Sequence, residues 1–200
     1  MIPYNGFVDI NQLIASRLRE LRLAHGLTLA ELAERSSVSR SNISLIERGE
    51  SSATATVLDK LTGALGVTLA SLFEPPLAES SPVSRRHDQI VWTDPDSGYA
   101  RHNLSPSTYS PIQLVEVSFP AQQRVAYDTS MRNLDMYQQV WIIDGTMDIT
   151  VGNTLWRLEA GDCIGMRLDQ PLTFHNPTDD PARYLVALVS QQHKPPRREE

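Results

Sequence analysis

Residues 39–47 hold two apolar side chains, Ile43 and Ile46, spaced for burial on one side of a short helix. Burying that pair turns Arg40, Ser41, Ser44 and Leu45 outward. A guanidinium offers two parallel N–H donors that match a guanine edge, and serine hydroxyls donate to or accept from bases and phosphates. The first turns of such a helix are the end that enters a major groove. Ser39, Arg40, Ser41, Asn42, Ser44 and Leu45 are therefore the candidate contacts to a nucleic-acid duplex. Arg48, at the far end, reads equally as a phosphate contact or as a solvated charge.

Two helices must hold that face in place. Thr28 followed by Glu31 is a capping box and starts the first, with Leu32 and Ala33 as its narrow apolar side. Ser36-Ser37 breaks it. The Ser39 hydroxyl caps the second helix, and Gly49 ends it by taking a positive φ. Val38, Ile43 and Ile46 anchor the second helix, and the small Ala33 lets the two helices approach closely. Thr28 is a further candidate contact, because a helix N-terminus presents amide donors to a phosphate. A plain helical bundle would leave the outward Arg40, Ser41 and Ser44 without a purpose.

From Asp9 to Phe73 the apolar residues keep helical spacing: Ile14, Leu18 and Leu21 form one stripe, and Leu58, Leu61 and Leu65 another. Residues 74–87 are rich in proline and serine, a linker composition. From about Ile90 the pattern changes to short β-like runs at 112–119, 140–143, 147–151, 163–168 and 184–189. Asp144-Gly145, Gly152-Asn153, Ala160-Gly161-Asp162 and Asn176-Pro177 separate them, which predicts a sandwich or barrel. The expected division is a helical domain at 9–73, a linker at 74–88, a β domain at 89–191 and a disordered polar tail at 192–200.

The chain of 200 residues is 40% hydrophobic and 21% charged, ordinary values for folded domains. No apolar run approaches the roughly 18 residues of a membrane span. The first residues lack the basic-then-apolar order of a signal peptide. The single cysteine, Cys163, excludes an internal disulfide and a cysteine zinc cluster and is expected to be buried packing. A cytoplasmic chain fits these features. The net charge of −6 is unevenly placed. Up to Phe73 the acids Asp9, Glu20, Glu31, Glu34, Glu47, Glu50 and Asp59 are matched by Arg17, Arg19, Arg22, Arg35, Arg40, Arg48 and Lys60, so the helical part is neutral. Its binding to DNA would rest on a few placed contacts, doubled by dimerisation, and little on long-range attraction.

The stretch from Ile14 to Phe73 resembles the phage-repressor-like, or xenobiotic-response-element, helix-turn-helix family. The motif residues are Leu27-Thr28, Glu31-Leu32-Ala33, Val38-Ser39, Ile43-Ser44 and Ile46-Glu47-Arg48-Gly49, followed by a leucine helix and Leu65-Gly66-Val67. The resemblance implies a five-helix bundle that binds a double-stranded DNA operator, with Arg22 and Glu47 as a structural ion pair. Two positions depart from the family. Leu29 stands where a phosphate-contacting glutamine is frequent, and Ser37 stands where the turn usually has glycine, which predicts mild strain.

The β domain resembles a cupin, a double-stranded β-helix barrel. Residues 140–149 look like its first strand–turn–strand motif, and Leu158-Glu159-Ala160-Gly161-Asp162 with Asn176-Pro177 looks like the second. Metal-binding cupins carry histidines and a glutamate facing inward. The resemblance places Gln138 at the glutamate position, the segment around Arg132 at the paired histidines and Leu172 at the late histidine, so no metal and no cofactor are expected. A barrel without metal still has a mouth suited to a small-molecule effector. Arg132 and Gln138 are expected inward or, for Arg132, at the rim, where an arginine favours an anion. Leu172 and His175 complete the candidate effector set, although a histidine in the place of His175 is more often a satisfied strand-end residue than a ligand contact. Trp141, Trp156 and Phe174 read as core or dimer interface. The whole is read as a multi-domain α plus β regulator, not an enzyme, pairing as a homodimer through the cupin domain without a membrane. The competing readings are a metalloenzyme of the phosphonate-epoxidase architecture and an antitoxin-like protein-binding repressor.

Overall fold

The computed structural model describes residues 9–73, 81–108, 110–128 and 135–191. The N-terminal head comprises α1 (Ile10–Ala24), α2 (Leu29–Ser36), α3 (Arg40–Glu47) and α4 (Ala55–Leu65), then a 3-10 helix at Leu69–Phe73. Every α-helix starts at an oxygen-bearing side chain: Asp9, Thr28, Ser39 and Thr54 accept from the N–H groups of Asn11, Glu31, Asn42 and Val57. Each cap satisfies a donor that the helix itself leaves unpaired. The five-helix expectation needs correcting, since the described head has four α-helices. Gly66 stops α4 in the left-handed region at φ 66°, and the next helical turn is only five residues long. Pro75 follows closely in sequence, so an i→i+4 ladder has no room to propagate. The turn there closes by Ser71 N–H donating to the Thr68 carbonyl at 3.1 Å.

Ten strands follow: β1 (Val91–Thr93), β2 (Ala100–Asn103), β3 (Ile112–Phe119), β4 (Arg124–Tyr127), β5 (Asp135–Asp144), β6 (Thr146–Val151), β7 (Thr154–Glu159), β8 (Cys163–Arg167), β9 (Leu172–His175) and β10 (Ala182–Gln191). They form a six-stranded sheet ordered β1-β2-β3-β10-β5-β8 and a four-stranded sheet ordered β4-β9-β6-β7. All the pairings are antiparallel. Period-two burial puts Val115, Val117 and Phe119 of β3, Tyr184, Val186 and Leu188 of β10, and Val140 and Ile142 of β5 on one inward face. Val125, Ile149, Leu172 and Phe174 close the core from the second sheet. The β5–β6 turn requires Gly145: its φ is +80°, and a Cβ there would lie 2.9 Å from the Ala182 Cα.

The head is docked on the barrel. One contiguous buried cluster runs from Ile14 through Phe73 and Trp92 to Leu188. The Phe73 ring meets Trp92 at 5.7 Å, and Trp92 meets Tyr99 edge-on at 5.9 Å. Polar contacts cross the same junction. The Asp94 carboxylate, which is buried, accepts from the Ala55 N–H at 2.8 Å, at the first turn of α4. Thr56 donates to the Ala126 carbonyl at 3.2 Å and Thr68 to Gln113 Oε1 at 2.8 Å.

Candidate nucleic-acid interface and barrel site

The residues that precede α3 fix its angle. The capping box at Thr28 is formed: its hydroxyl accepts from the Glu31 N–H at 3.2 Å, and the Glu31 carboxylate accepts from the Thr28 N–H at 2.8 Å. The Thr28 hydroxyl also donates to that carboxylate at 2.7 Å. These hydrogen bonds from Thr28 hold the Glu31 carboxyl below the usual range. The anion at the start of α2 is thus the chain's own Glu31, and a DNA phosphate must displace it to reach Thr28. Ser37 takes the left-handed conformation at φ 55°, as its place in the turn predicts. Ser36, buried beside it, donates to the Leu32 carbonyl at 2.6 Å and accepts from the Val38 N–H at 3.3 Å, which secures the turn.

In α3 the burial pattern orients the side chains. Ile43 and Ile46 are 0% and 2% exposed, while Ser39, Arg40, Ser41, Leu45 and Arg48 are exposed and Asn42 and Ser44 half-buried. Ser39 Oγ accepts from the Asn42 N–H and lies 3.2 Å from Ser41 Oγ. Arg48 is engaged: its Nε and Nη2 each donate to Glu50 at 2.8 Å, and its Nη1 donates to Ser44. Arg40 has no hydrogen bond or ion pair among the described residues. Behind the helix, Arg22 grips Glu47 with Nε at 2.6 Å and Nη2 at 2.8 Å, and its Nη1 donates to the Leu27 carbonyl at 2.8 Å. The hydrogen bonds to Glu47 raise the Arg22 pKa against the effect of burial. This pair, both members nearly covered, ties α1 to α3 and sets the helix that carries Arg40.

The barrel interior differs from the set named from sequence. Arg132 lies outside the described residues. Gln138 shares the inward row with Met136 and Val140, and Leu172 is core at 3% exposure. A carboxamide and an isobutyl group do not make a ligand set for iron or manganese. Among the described residues no cluster of three or more histidine, cysteine or acidic side chains could hold a metal. His175 alternates with Leu172 and Phe174, so it faces away from the interior, where its Nδ1 lies 3.8 Å from Asp148. Asp148 is held below the usual carboxylate range by Arg157, which donates to it at 2.8 and 2.9 Å. Cys163 is exposed on an outward strand, correcting its expected burial. Trp141 and Trp156 are exposed too, and Phe174 is core.

Sequence reading missed the group that does face inward. Arg101 of β2 stands opposite the buried Val117 and the buried Trp92 in register. Tyr99, Tyr127 and Tyr184 are its titratable neighbours, and Tyr99 is hydrogen-bonded to it. Burial pushes the phenols of Tyr127 and Tyr184 well above their usual pKa, so they remain neutral O–H donors near neutral pH. The signal in the sequence is the period-two order Tyr99, Arg101, Asn103, which puts the three on one face of an extended segment.

An α3 aimed outward from a capped α2 and a closed two-sheet barrel define a helix-turn-helix head joined to a cupin barrel. Family comparisons agree. The helix-turn-helix profile matches residues 18–72, and the cupin domain profile matches residues 135–188. The chain is 25% identical over 170 residues to the HTH-type transcriptional regulator SutR of Escherichia coli (strain K12), covering 84% of this chain and 89% of that protein. It is 37% identical over 68 residues to the uncharacterized HTH-type transcriptional regulator y4dJ of Sinorhizobium fredii (strain NBRC 101917 / NGR234), covering 34% of this chain and 88% of that protein. The crystal structure of an HTH_3 family transcriptional regulator from Vibrio cholerae superposes with a TM-score of 0.74 at 24% identity, covering 92% of this chain and 98% of that one. The chain belongs to the DNA-binding HTH-type transcriptional regulators, and its second domain is a cupin. No helix among the described residues is long and apolar enough to cross a membrane.

Proposed function

We propose that this protein is a sequence-specific regulator that reads a double-stranded operator with α3, pairs as a homodimer through its cupin domain, and responds to a small anionic effector held in the barrel. It acts as a binding protein in the cytoplasm, with a head at 9–73 and a barrel at 89–191. The observation that carries this reading is Arg40: an exposed guanidinium on the first turn of α3, held by no partner among the described residues, above a helix pinned by buried Ile43 and Ile46. Ser39, Ser41, Asn42, Ser44 and Leu45 flank it. Arg48 and Thr28 reach phosphates by giving up Glu50 and Glu31.

Pairing is supported by the outward face of the six-stranded sheet. Trp141, Tyr137 and Ile112 are 47%, 46% and 47% exposed there, beside half-buried Leu114, Leu185 and Val189. A contiguous apolar face of this kind favours burial against another surface. A two-fold dimer would set two α3 helices on half-sites about one helical turn apart, roughly 34 Å. The docked head supports the response to effector: a ligand that displaces Trp92 or Tyr99 acts directly on Phe73 and α4. The test is a titration of a duplex selected from a randomised library by the full chain, read by fluorescence anisotropy. Arg40→Ala is expected to lose about 1–3 kcal/mol against the selected duplex and to relax the preference at one guanine. Equal binding of selected and scrambled duplexes by both proteins would sink the operator reading.

A further inference from the structure

We propose that Arg101, with the hydroxyls of Tyr99 and Tyr127 and the side chain of Asn103, forms the ligand site of the barrel and takes a small organic monocarboxylate bearing a hydrogen-bond donor. The proposal rests on the regulator reading and names the effector's chemistry. Arg101 and Asn103 are two residues apart on β2, so both point to the same face, opposite Val117 and Val115. Arg101 Nε and Asn103 Oδ1 are sealed from solvent and have no hydrogen-bond partner among the described residues. Unpaired buried polar atoms are costly and call for an occupant. Among the described residues the side chains that interact with Arg101 are the phenols of Tyr99, Tyr127 and Tyr184, and none is a carboxylate.

The surroundings define the occupant. Tyr99 and Tyr127 meet hydroxyl to hydroxyl at 2.8 Å, so one of the two donates to the other and the remaining hydroxyl proton is left to donate beside the guanidinium. Tyr99 and Tyr184 are 1% and 3% exposed, whereas Arg101, Asn103 and Tyr127 are half-buried. Phe119 stacks on Tyr99 at 5.6 Å and Phe174 on Tyr184 at 5.6 Å, which makes the walls aromatic. A guanidinium whose side-chain hydrogen bond is to the neutral Tyr99 phenol, and whose Nε is unsatisfied, suits a single negative charge, and its planar fork matches a carboxylate. The aromatic walls suit an apolar body, and Asn103 Oδ1, one strand repeat away, accepts from a donor at the ligand's other end.

The full chain is titrated with benzoate and 4-hydroxybenzoate, with benzamide and 4-hydroxybenzamide as neutral counterparts, and with inorganic phosphate. Near-ultraviolet circular dichroism reads the buried tyrosines. A saturable change is expected with the carboxylates, tightest for 4-hydroxybenzoate and at least tenfold weaker for the amides and for phosphate. Arg101→Lys should weaken carboxylate binding about tenfold or more, because an ammonium lacks the fork. Tyr127→Phe, which deletes one hydroxyl, should weaken it severalfold, and keeps the test decisive if the arginine variant does not fold. No response to either carboxylate overturns the proposal. So do amides or phosphate that bind as tightly, or a folded variant that binds as wild type does. DNA binding of the ligand-free protein is measured on the same preparation. If DNA is bound and carboxylates are not, this site is rejected and the regulator stands; if DNA is not bound, the regulator reading itself falls.

Discussion

Asp94 belongs to the barrel yet completes the N-terminus of a head helix, and removing it tests whether the two domains are one mechanical unit. Its buried carboxylate accepts from the Ala55 N–H at 2.8 Å, from the Ser97 N–H at 3.0 Å and from the Ser97 hydroxyl at 2.5 Å. Asp94→Ala leaves two buried amide donors unpaired, each costing about 1–3 kcal/mol. The loss should therefore be about 2–6 kcal/mol, lowering Tm by roughly 4–24 °C for a chain of this size. The cross-domain share is isolated with Ala55→Pro. Proline is tolerated at the first helical position, and Thr54, at φ −74° and ψ 161°, already has the conformation that precedes proline. In the parent the proline ring intrudes on Asp94, whereas in the Asp94→Ala background that space is free. The proline should cost at least about 1 kcal/mol less in the second background, a coupling typical of residues in direct contact. Thermal unfolding followed by circular dichroism measures all four proteins. Costs that add to within about 0.3 kcal/mol would refute a cap shared between head and barrel.

Three further outcomes follow from the geometry. Arg22→Ala strands the covered Glu47 carboxylate and should destabilise the protein by about 3–5 kcal/mol, measured by denaturant unfolding, with loss of DNA binding as α3 loosens. Asp148 is lowered by its hydrogen bonds from Arg157, so its stabilising contribution is present above the unfolded carboxylate value and is lost as pH falls through the lower folded one. Asp148→Asn should therefore be less stable near neutral pH and show a shallower loss below about pH 4, which unfolding midpoints from pH 2 to 7 would show. Trp141→Glu places a charge in the outward apolar face and should shift the proposed dimer toward monomer in sedimentation; a dimer unchanged by the substitution would refute pairing through this face.

The head was legible in the sequence because its determinants are local. A capping box at Thr28 and Glu31, a cap at Ser39, a serine in the left-handed turn and a glycine after α3 each act within four residues of themselves, and helical spacing separates Ile43 and Ile46 from Arg40 without knowledge of the rest. The Arg22–Glu47 pair, 25 residues apart, was reached only through resemblance. The barrel was legible as a succession of strands and turns. Its interior was not, because the face a residue presents depends on which strand lies beside it. Arg101 turns inward because β2 pairs with β3 so that Arg101 sits opposite Val117, and Tyr127 reaches Tyr99 because two separate sheets close on each other. His175 turns outward by the same period-two rule, one residue from the buried Phe174. The docking of head on barrel through Phe73, Trp92, Asp94 and Ala55 joins residues distant in sequence, and no local spacing encodes it. What the chain specified by itself were the elements and their caps; register and domain packing, which sum many weak contacts between distant residues, were decided only when the molecule closed.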